Sequence, residues 1–171
     1  KDILLKGYAI NNRIEVLEKK VSSIEIKNTE FQLLINSNLP PQQGVFFEGE
    51  LFDAHVLISK IIKSANQSIF LFDNYIDETV LTQLSKKNKG VTVKIYIKNI
   101  SRQLQLDVEK FNKQYGSLQV IEFDKSHDRF LIIDQTAIYH LGASLKDLGK
   151  KWFAFSKLNI DPALILGKLD S

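Results

Sequence analysis

The chain has 171 residues, of which 44% are hydrophobic and 25% charged, and its formal net charge is +3. This length and composition fit one packed soluble domain with room for an extension, and they exclude a disordered chain. The absence of cysteine excludes a disulfide framework and a thiolate metal site, and three histidines are too few for a histidine-rich metal cage.

The apolar runs, such as IFLF and FLII, are far too short to span a bilayer, and the first residues do not resemble a signal peptide. We therefore expect a cytoplasmic protein with no metal, no cofactor and no membrane partner. The slight excess of basic residues lies after residue 50 and favours an anionic partner, although solvated lysines explain it equally well. Because the chain contains no methionine, we expect it to be a piece of a longer protein.

Residues 1–35 predict a coiled coil, because mostly apolar residues repeat every seven positions in two series. The d positions are Ile3, Ile10, Leu17, Ile24 and Phe31, and the a positions are Gly7, Ile14, Val21, Asn28 and Ile35. Isoleucine and valine at a with leucine at d favour two parallel strands, and an asparagine at an a position fixes the dimer and its register.

The a and d residues together form the apolar seam of the predicted coil. The charged residues beside this seam agree with a parallel dimer, in which Arg13 faces Glu18 and Lys20 faces Glu25 across the interface. The alternative is an amphipathic helix packed on its own domain, which predicts a wider apolar face and no ordered flanking charges. Because the coil is short, we expect the homodimer to form through residues 3–35 and through a further contact of the globular domain.

The segment NSNLPPQQG then breaks the helix with two prolines and a glycine. The predicted organisation is a coiled-coil helix over 1–35, a linker over 36–50 and a globular domain over 51–171.

The globular domain alternates helical and strand patterns. A helical spacing in LFDAHVLISKIIKSA comes first, and a further helix runs from Asp77 to Gly90 and another begins after the cap Ser101. The predicted strands are 68–73, 91–98, 118–123, 129–134 and 137–142, the last two joined by a tight turn at Gln135–Thr136. The order α-β-α-β-α-β-β-β predicts an α/β fold with right-handed crossovers and a mixed sheet flanked by helices.

The motif HDRFLIID, preceded by ANQSIFLFDNYIDETVLTQLSKKNKGVTVKIYIK and followed by YHLGAS, resembles one repeat of the phospholipase D superfamily. That superfamily has the motif His-x-Lys-x4-Asp, followed by a turn similar to Gly-Ser-x-Asn. The resemblance covers about residues 51–145 and implies a phospholipase D-like fold. It also assigns catalytic roles to His127, Arg129 and Asp134, and substrate binding to Ser144, Lys146 and Tyr75.

In this superfamily two such motifs face each other. One histidine attacks phosphorus, the other protonates the leaving oxygen, lysines hold the non-bridging oxygens and aspartates orient the imidazoles, without a metal. Only one motif is present here, at His127, so the resemblance implies that a second chain supplies the other.

Two departures from the motif bear on catalysis. Arg129 stands at the lysine position, and arginine binds phosphate as a planar fork and not as a compact charge. GASLKD lacks the asparagine of the superfamily, so Ser144 or Lys146 would have to replace its contacts.

Plainer interpretations exist for the same residues. His127 could instead be a histidine at a strand edge that forms a hydrogen bond with a neighbouring carboxylate. Asp134 also fits the start of the turn that ends its strand. Lys150, Lys151 and Trp152 favour nucleic-acid contact through phosphate binding and base stacking, or equally a basic face with a half-buried tryptophan.

More narrowly, LLKGYAINNRI and GASLKDLGKKWFAFSKL resemble the C-terminal region of bacterial RhuM-like, phage-antirepressor-type DNA-binding proteins. Two functions remain. One is a dimeric module that binds nucleic-acid phosphodiesters and cleaves them as a metal-independent phosphodiesterase or nuclease, with Arg129 in place of lysine. The other is a catalytically inactive dimerisation and regulatory domain of an antirepressor-like protein.

Overall fold

The computed structural model describes the backbone of residues 2–38 and 40–169, and the side chains of residues 10–29 and 40–169. The chain divides into two compact units, Lys1–Leu39 and Pro40–Ser171. In the described ranges, no helix combines the length and the apolar character needed to cross a bilayer.

The first unit is one helix, α1 (Asp2–Asn38). The predicted seam residues within 10–24 are all 46–65% exposed: Ile10, Ile14, Leu17, Val21 and Ile24. The predicted seam residues whose side chains lie outside the described ones are Ile3, Gly7, Phe31 and Ile35. An exposed apolar seam is what a single coiled-coil strand offers to a partner, so dimerisation through α1 stays a prediction.

The second unit is a mixed sheet with helices on its faces. Its strands are β1 (Gln43–Phe46), β2 (Ser68–Phe72), β3 (Thr92–Ile97), β4 (Leu118–Glu122), β5 (Arg129–Ile133), β6 (Ala137–Leu141) and β7 (Phe153–Leu158). Its helices are α2 (Leu51–Lys63), α3 (Glu78–Leu84), α4 (Arg102–Gln114) and α5 (Ala163–Leu166), with a short 3₁₀ turn at Leu145–Asp147.

Local sequence signals explain where the longer elements begin. The Asp77 carboxylate accepts a hydrogen bond from the Thr79 N–H (3.0 Å) and caps α3, and the Ser101 hydroxyl oxygen accepts one from the Leu104 N–H (3.1 Å) and caps α4. These side chains satisfy backbone donors that have no partner in the first turn of a helix.

The strand order is β1-β7-β6-β5-β2-β3-β4. β2, β3 and β4 are parallel, whereas β5 runs antiparallel to β2 and each later neighbour pair is antiparallel. Consequently the carboxyl ends of β1, β2, β3, β4 and β6 meet the amino ends of β5 and β7 at one border of the sheet, called here the site edge.

The two faces of the sheet are packed differently. The larger core lies between one face and the helices α2, α3 and α4, and includes Ile58, Leu71, Ile95 and Leu131, all fully buried. The opposite face has a smaller cluster around Phe72, Tyr96, Ile132 and Ile138, against which residues of α5 pack. Burial of apolar area on both faces is the main stabilising contribution to this unit.

The structure differs from the predicted elements in six respects. α1 extends to Asn38 and β1 lies inside the segment predicted as the linker, where it pairs with β7. β7 and α5 were not predicted, and α3 ends at Leu84, well before Gly90. The turn between β5 and β6 is centred on Asp134 and Gln135, not on Gln135–Thr136, and both residues have positive φ (51° and 55°) as in a type I′ turn.

Candidate functional site

Four predicted site residues line one groove at the site edge, with a cavity volume of about 590 Å³. Tyr75 follows β2, Arg129 begins β5, and Ser144 and Lys146 follow β6. The groove is completed by Gly142, Ala143, Asp147, Lys150, Lys151 and Trp152. The antiparallel pairing of β5 with β2 and β6 is what brings these distant segments together.

Two cations in the groove lie over one aromatic ring. The Arg129 Cζ is 5.7 Å from the centroid of the Tyr75 ring, and the Lys146 Nζ is 5.4 Å from it. The negative face of an aromatic ring attracts a cation at these distances. Among the described residues, neither cation forms a salt bridge with a carboxylate, so both charges are open to an anion from solution.

Asp73 is a buried carboxylate behind this groove, and only 2% of it is exposed. It accepts hydrogen bonds from the Ser144 hydroxyl (2.8 Å), the Leu145 N–H (2.9 Å) and the Tyr75 N–H (3.0 Å). Burial raises the pKa of Asp73, while these hydrogen bonds and the charge of Arg129 act in the opposite direction. Asp73 therefore fixes the backbone that presents Tyr75 and the 144–146 segment.

Ser144 lines the groove, but its hydroxyl proton is directed at Asp73, and the residue is only 3% exposed. A hydroxyl has one proton to donate, so this geometry does not offer it to a bound phosphate. This hydrogen bond suits a positioning role for Ser144, and its substrate-binding role stays a prediction. The signal for Asp73 was in the sequence: an aspartate directly after an apolar strand, where a parallel sheet places binding residues.

His127 lies just before β5, at the site edge, and is exposed. It is not among the residues that line the groove, and it has no hydrogen bond or ion pair within the described part of the chain. Asn74 holds the preceding loop, because its side-chain amide donates to the Ser126 carbonyl (3.3 Å) and accepts from the Lys98 N–H (2.9 Å).

Asp134 lies at the opposite end of β5 from His127 and Arg129. Its carboxylate accepts hydrogen bonds from the backbone N–H groups of Asn66 (2.9 Å), Gln67 (2.7 Å) and Ser68 (2.9 Å). At about 3.3 Å per strand residue, the five steps from Arg129 to Asp134 place them roughly 16 Å apart. These contacts fit the plainer interpretation of Asp134 as a turn residue, and its catalytic role stays a prediction.

No group of three or more His, Asp or Glu side chains is placed to hold a metal ion within the described ranges. His55 is partly buried in α2, and its Nδ1 lies 2.7 Å from the Gln83 Nε2. Burial, with a smaller effect of the nearby Lys86 charge, lowers the pKa of His55. This histidine joins α2 to α3 and lies outside the groove.

Comparison with solved structures gives matches of low sequence identity. TrmBL2, an archaeal chromatin protein with a novel mode of DNA binding, matches 94% of this chain with a TM-score of 0.50 and 17% identity, and the match spans 64% of TrmBL2. NucT from Helicobacter pylori matches 74% of this chain and 91% of its own length, with a TM-score of 0.53 and 15% identity.

The phosphatidylserine synthase of Haemophilus influenzae Rd KW20 matches 80% of this chain and 39% of its own length, with a TM-score of 0.51 and 13% identity. No protein-family model and no curated protein matches the sequence. The second unit has the phospholipase D-like mixed α/β fold that the sequence predicts.

Proposed function

We propose that the second unit is a phospholipase D-like module that binds nucleic-acid phosphodiesters in the groove of Tyr75, Arg129 and Lys146. The main support is the convergence of two cations, without carboxylate partners among the described residues, on one ring. Arginine offers a planar fork that matches two phosphate oxygens, and lysine adds a compact charge. The DNA binding described for TrmBL2 supports nucleic acid as the source of the phosphate.

The same proposal assigns the module to a dimeric, phage-antirepressor-type regulator in which it binds without cleaving. Three observations favour binding over turnover. Asp134 is held at the far end of β5, the Ser144 hydroxyl is engaged by Asp73, and arginine replaces the lysine of the superfamily. The exposed seam of α1 supports a parallel dimer, which would contain two grooves, one from each chain.

A second candidate is a metal-independent phosphodiesterase, which the exposure of His127 at the same edge as Arg129 favours. In this reaction the imidazole of one chain forms a bond to phosphorus as the bond to the leaving oxygen breaks. The His127 imidazolium of a second copy gives its proton to that oxygen, and water then releases the phosphoryl group from the first histidine.

Binding is tested by the fluorescence anisotropy of a labelled oligonucleotide at low salt. Arg129→Ala and Lys146→Ala should each lower the affinity and reduce the slope of log affinity against log salt by about 0.7 to 0.9, because one phosphate contact is lost. Lys113→Ala removes the same charge from an exposed site on α4 outside the groove, and should change neither value by a comparable amount. Failure of the intact protein to bind at low salt would refute the proposed function.

Turnover is tested on the same oligonucleotide in EDTA, with the intact protein, His127→Ala and Arg129→Lys. A binding module leaves the strand intact with all three proteins. Cleavage that survives EDTA, is lost in His127→Ala and is kept or raised in Arg129→Lys would instead establish the phosphodiesterase, since Arg129→Lys restores the residue of the superfamily.

A further inference from the structure

We propose that the groove takes single-stranded nucleic acid, with Trp152 as a base-stacking platform beside the phosphate-binding cations. This inference rests on the proposed function and names the form of nucleic acid that the groove accepts. The ligand class is a strand with unpaired bases, bound through its backbone and at least one base.

Trp152 is the main observation. It lies just before β7 and is 71% exposed, whereas two phenylalanines of β7, Phe153 and Phe155, are only 5% and 3% exposed. Phe47, which follows β1 at the same edge, contacts it with ring centroids 4.8 Å apart and planes at 86°. A large indole surface therefore stands open to solvent, held on one side by a perpendicular ring.

The loops that present these two rings are fastened to each other through their backbones. The Gly49 N–H donates to the Gly149 carbonyl (3.0 Å), which joins the two loops. Within the first loop, the Phe47 N–H donates to the Glu50 carboxylate (2.8 Å). Gly149 has φ +72°, and a Cβ there would lie 2.6 Å from the Leu51 Cα, so only glycine permits this close approach. A platform fixed in this way costs little ordering entropy when a base stacks on it.

The charges around Trp152 suit a polyanion. Lys146, Lys150, Lys151 and Arg129 line the groove with it, and the carboxylate of Asp147 is 2.9 Å from the Nζ of Lys150. Cations that follow a backbone, next to an exposed aromatic face, are the combination by which proteins bind single strands. In a duplex the base faces are already stacked on one another, so a duplex leaves no base face for Trp152.

An exposed tryptophan among lysines also occurs where proteins contact the headgroups of a membrane. The groove favours nucleic acid, because Trp152 lines a concavity that also contains Arg129 and Tyr75. A side chain that inserts into a bilayer has to project beyond its neighbours, whereas this one borders a cleft.

Trp152 is the only tryptophan in the chain, so fluorescence excited at wavelengths that tyrosine does not absorb reports on this platform alone. The protein is titrated with oligothymidylate of about 12 nucleotides, within the usual site size. The parallel titrations use an abasic strand of equal length, a duplex and phosphatidylserine vesicles. We expect oligothymidylate to quench the Trp152 fluorescence. The abasic strand should bind, as measured by anisotropy, without quenching it.

The matched variants are Trp152→Leu, which keeps an apolar side chain but removes the stacking face, and Tyr115→Leu, which alters an exposed aromatic residue outside the groove. Trp152→Leu should weaken oligothymidylate binding by about tenfold, the value of one stacked base. Trp152→Leu should leave the affinity for the abasic strand and for the duplex unchanged. Tyr115→Leu should leave the affinity for every ligand unchanged. Thermal melting confirms that both variants are folded.

Oligothymidylate binding that depends on Arg129 but neither quenches Trp152 nor weakens in Trp152→Leu would overturn this inference and leave the proposed function intact. Equal weakening for the abasic strand would also overturn it, because Trp152 would then not contact a base. A blue shift with vesicles, without a response to any strand, would assign the platform to a membrane surface. The absence of any strand binding would remove the proposed function itself.

Discussion

At the scale of the residue, Asp134 closes the turn between β5 and β6 and binds the backbone where β2 begins. Its partial burial raises its pKa, but the hydrogen bonds from Ser68, Asn66 and Gln67 outweigh this, so its pKa is lowered from 3.8. The ionised carboxylate therefore stabilises the folded state above pH 3.8, and this contribution is lost as the pH falls through the lower pKa of the folded state.

Asp134→Asn keeps the shape of the side chain and suits the positive φ at this position, but it removes the charge and one acceptor oxygen. The free energy of unfolding at pH 7 should fall by about 1–3 kcal/mol, because a partly buried N–H loses its partner. The difference from the unsubstituted protein should narrow below pH 3.8. Chemical denaturation at several pH values measures both effects.

The control for this prediction is Asp124→Asn, which alters an exposed carboxylate outside the β5–β6 turn and should leave the free energy of unfolding nearly unchanged. Oligonucleotide affinity should be the same in both variants, since neither residue lines the groove. A loss of affinity in Asp134→Asn without a loss of stability would instead show that Asp134 acts in ligand binding and not only in the turn.

Ser144 and Lys146 are two residues apart and line the same groove, yet we expect their substitutions to act differently. Ser144→Ala deprives the buried Asp73 carboxylate of a donor and should lower the free energy of unfolding by about 1–3 kcal/mol. The salt dependence of oligonucleotide binding should be the same for Ser144→Ala as for the unsubstituted protein. Lys146→Ala should leave stability nearly unchanged and reduce the salt slope, because the proposed function places Lys146 in direct contact with phosphate.

Thermal melting and salt titrations of the two variants separate a positioning residue from a contact residue. If Ser144→Ala reduced the salt slope as much as Lys146→Ala while keeping its melting temperature, the serine hydroxyl would be a phosphate donor after all. The geometry around Asp73 predicts the opposite, because the proton is already directed to a carboxylate.

At the scale of the element, the helices and strands predicted correctly from the sequence are those whose apolar residues repeat at a regular interval. α2 repeats apolar residues every three to four positions and β3 alternates them, so their types and places were correct. β1 and α5 have four residues each, too few for a period to show. Their existence depends on pairing or packing with distant segments, such as β1 on β7, which no local pattern contains.

The same distinction applies to the site. The resemblance to the superfamily assigned Tyr75, Arg129 and Lys146 to one site, and the ends of β2, β5 and β6 bring them to one groove. The contact of Phe47 with Trp152 was not predictable, because it follows from the β1–β7 pair. The position of Asp134 was deducible, since five successive strand residues cannot return to the same edge.

The element α1 gives a prediction of its own, because its seam residues are open to solvent within the described part of the helix. Leu17→Lys together with Val21→Lys places charges in the seam of the coil, where burying them costs more than the coil gains. The protein should then be monomeric by light scattering at micromolar concentration, whereas the unsubstituted protein should have the mass of a dimer.

The matched control adds the same charges away from the seam. Ser22→Lys with Ser23→Lys alters the b and c positions of the heptad, which face solvent in a coiled coil, and should preserve the dimer. A monomer mass for the unsubstituted protein would show that α1 does not associate with a second copy. Monomers from both double variants would show that charge anywhere on α1 prevents association.

At the scale of the whole molecule, a dimer through α1 gives one assembly two grooves. When one groove holds a strand, the second meets the same strand at an effective concentration set by the connection between them, and not by the bulk concentration. Two modest sites then act as one strong site for a strand long enough to reach both. The longer the strand, up to that reach, the larger the advantage of the dimer.

The last prediction is therefore a ratio of affinities. For the unsubstituted protein, a single strand of about 40 nucleotides should bind at least 100-fold more tightly than one of about 12 nucleotides, within the range expected for two linked sites. The Leu17→Lys and Val21→Lys variant should keep the affinity for the short strand but lose the large ratio between the two strands. It should retain only the few-fold gain that a longer strand gives by offering more positions to bind. The Ser22→Lys and Ser23→Lys variant should keep it. Anisotropy with both strand lengths measures the ratio, and a ratio that survives in the monomer would mean that one groove alone distinguishes long strands from short ones.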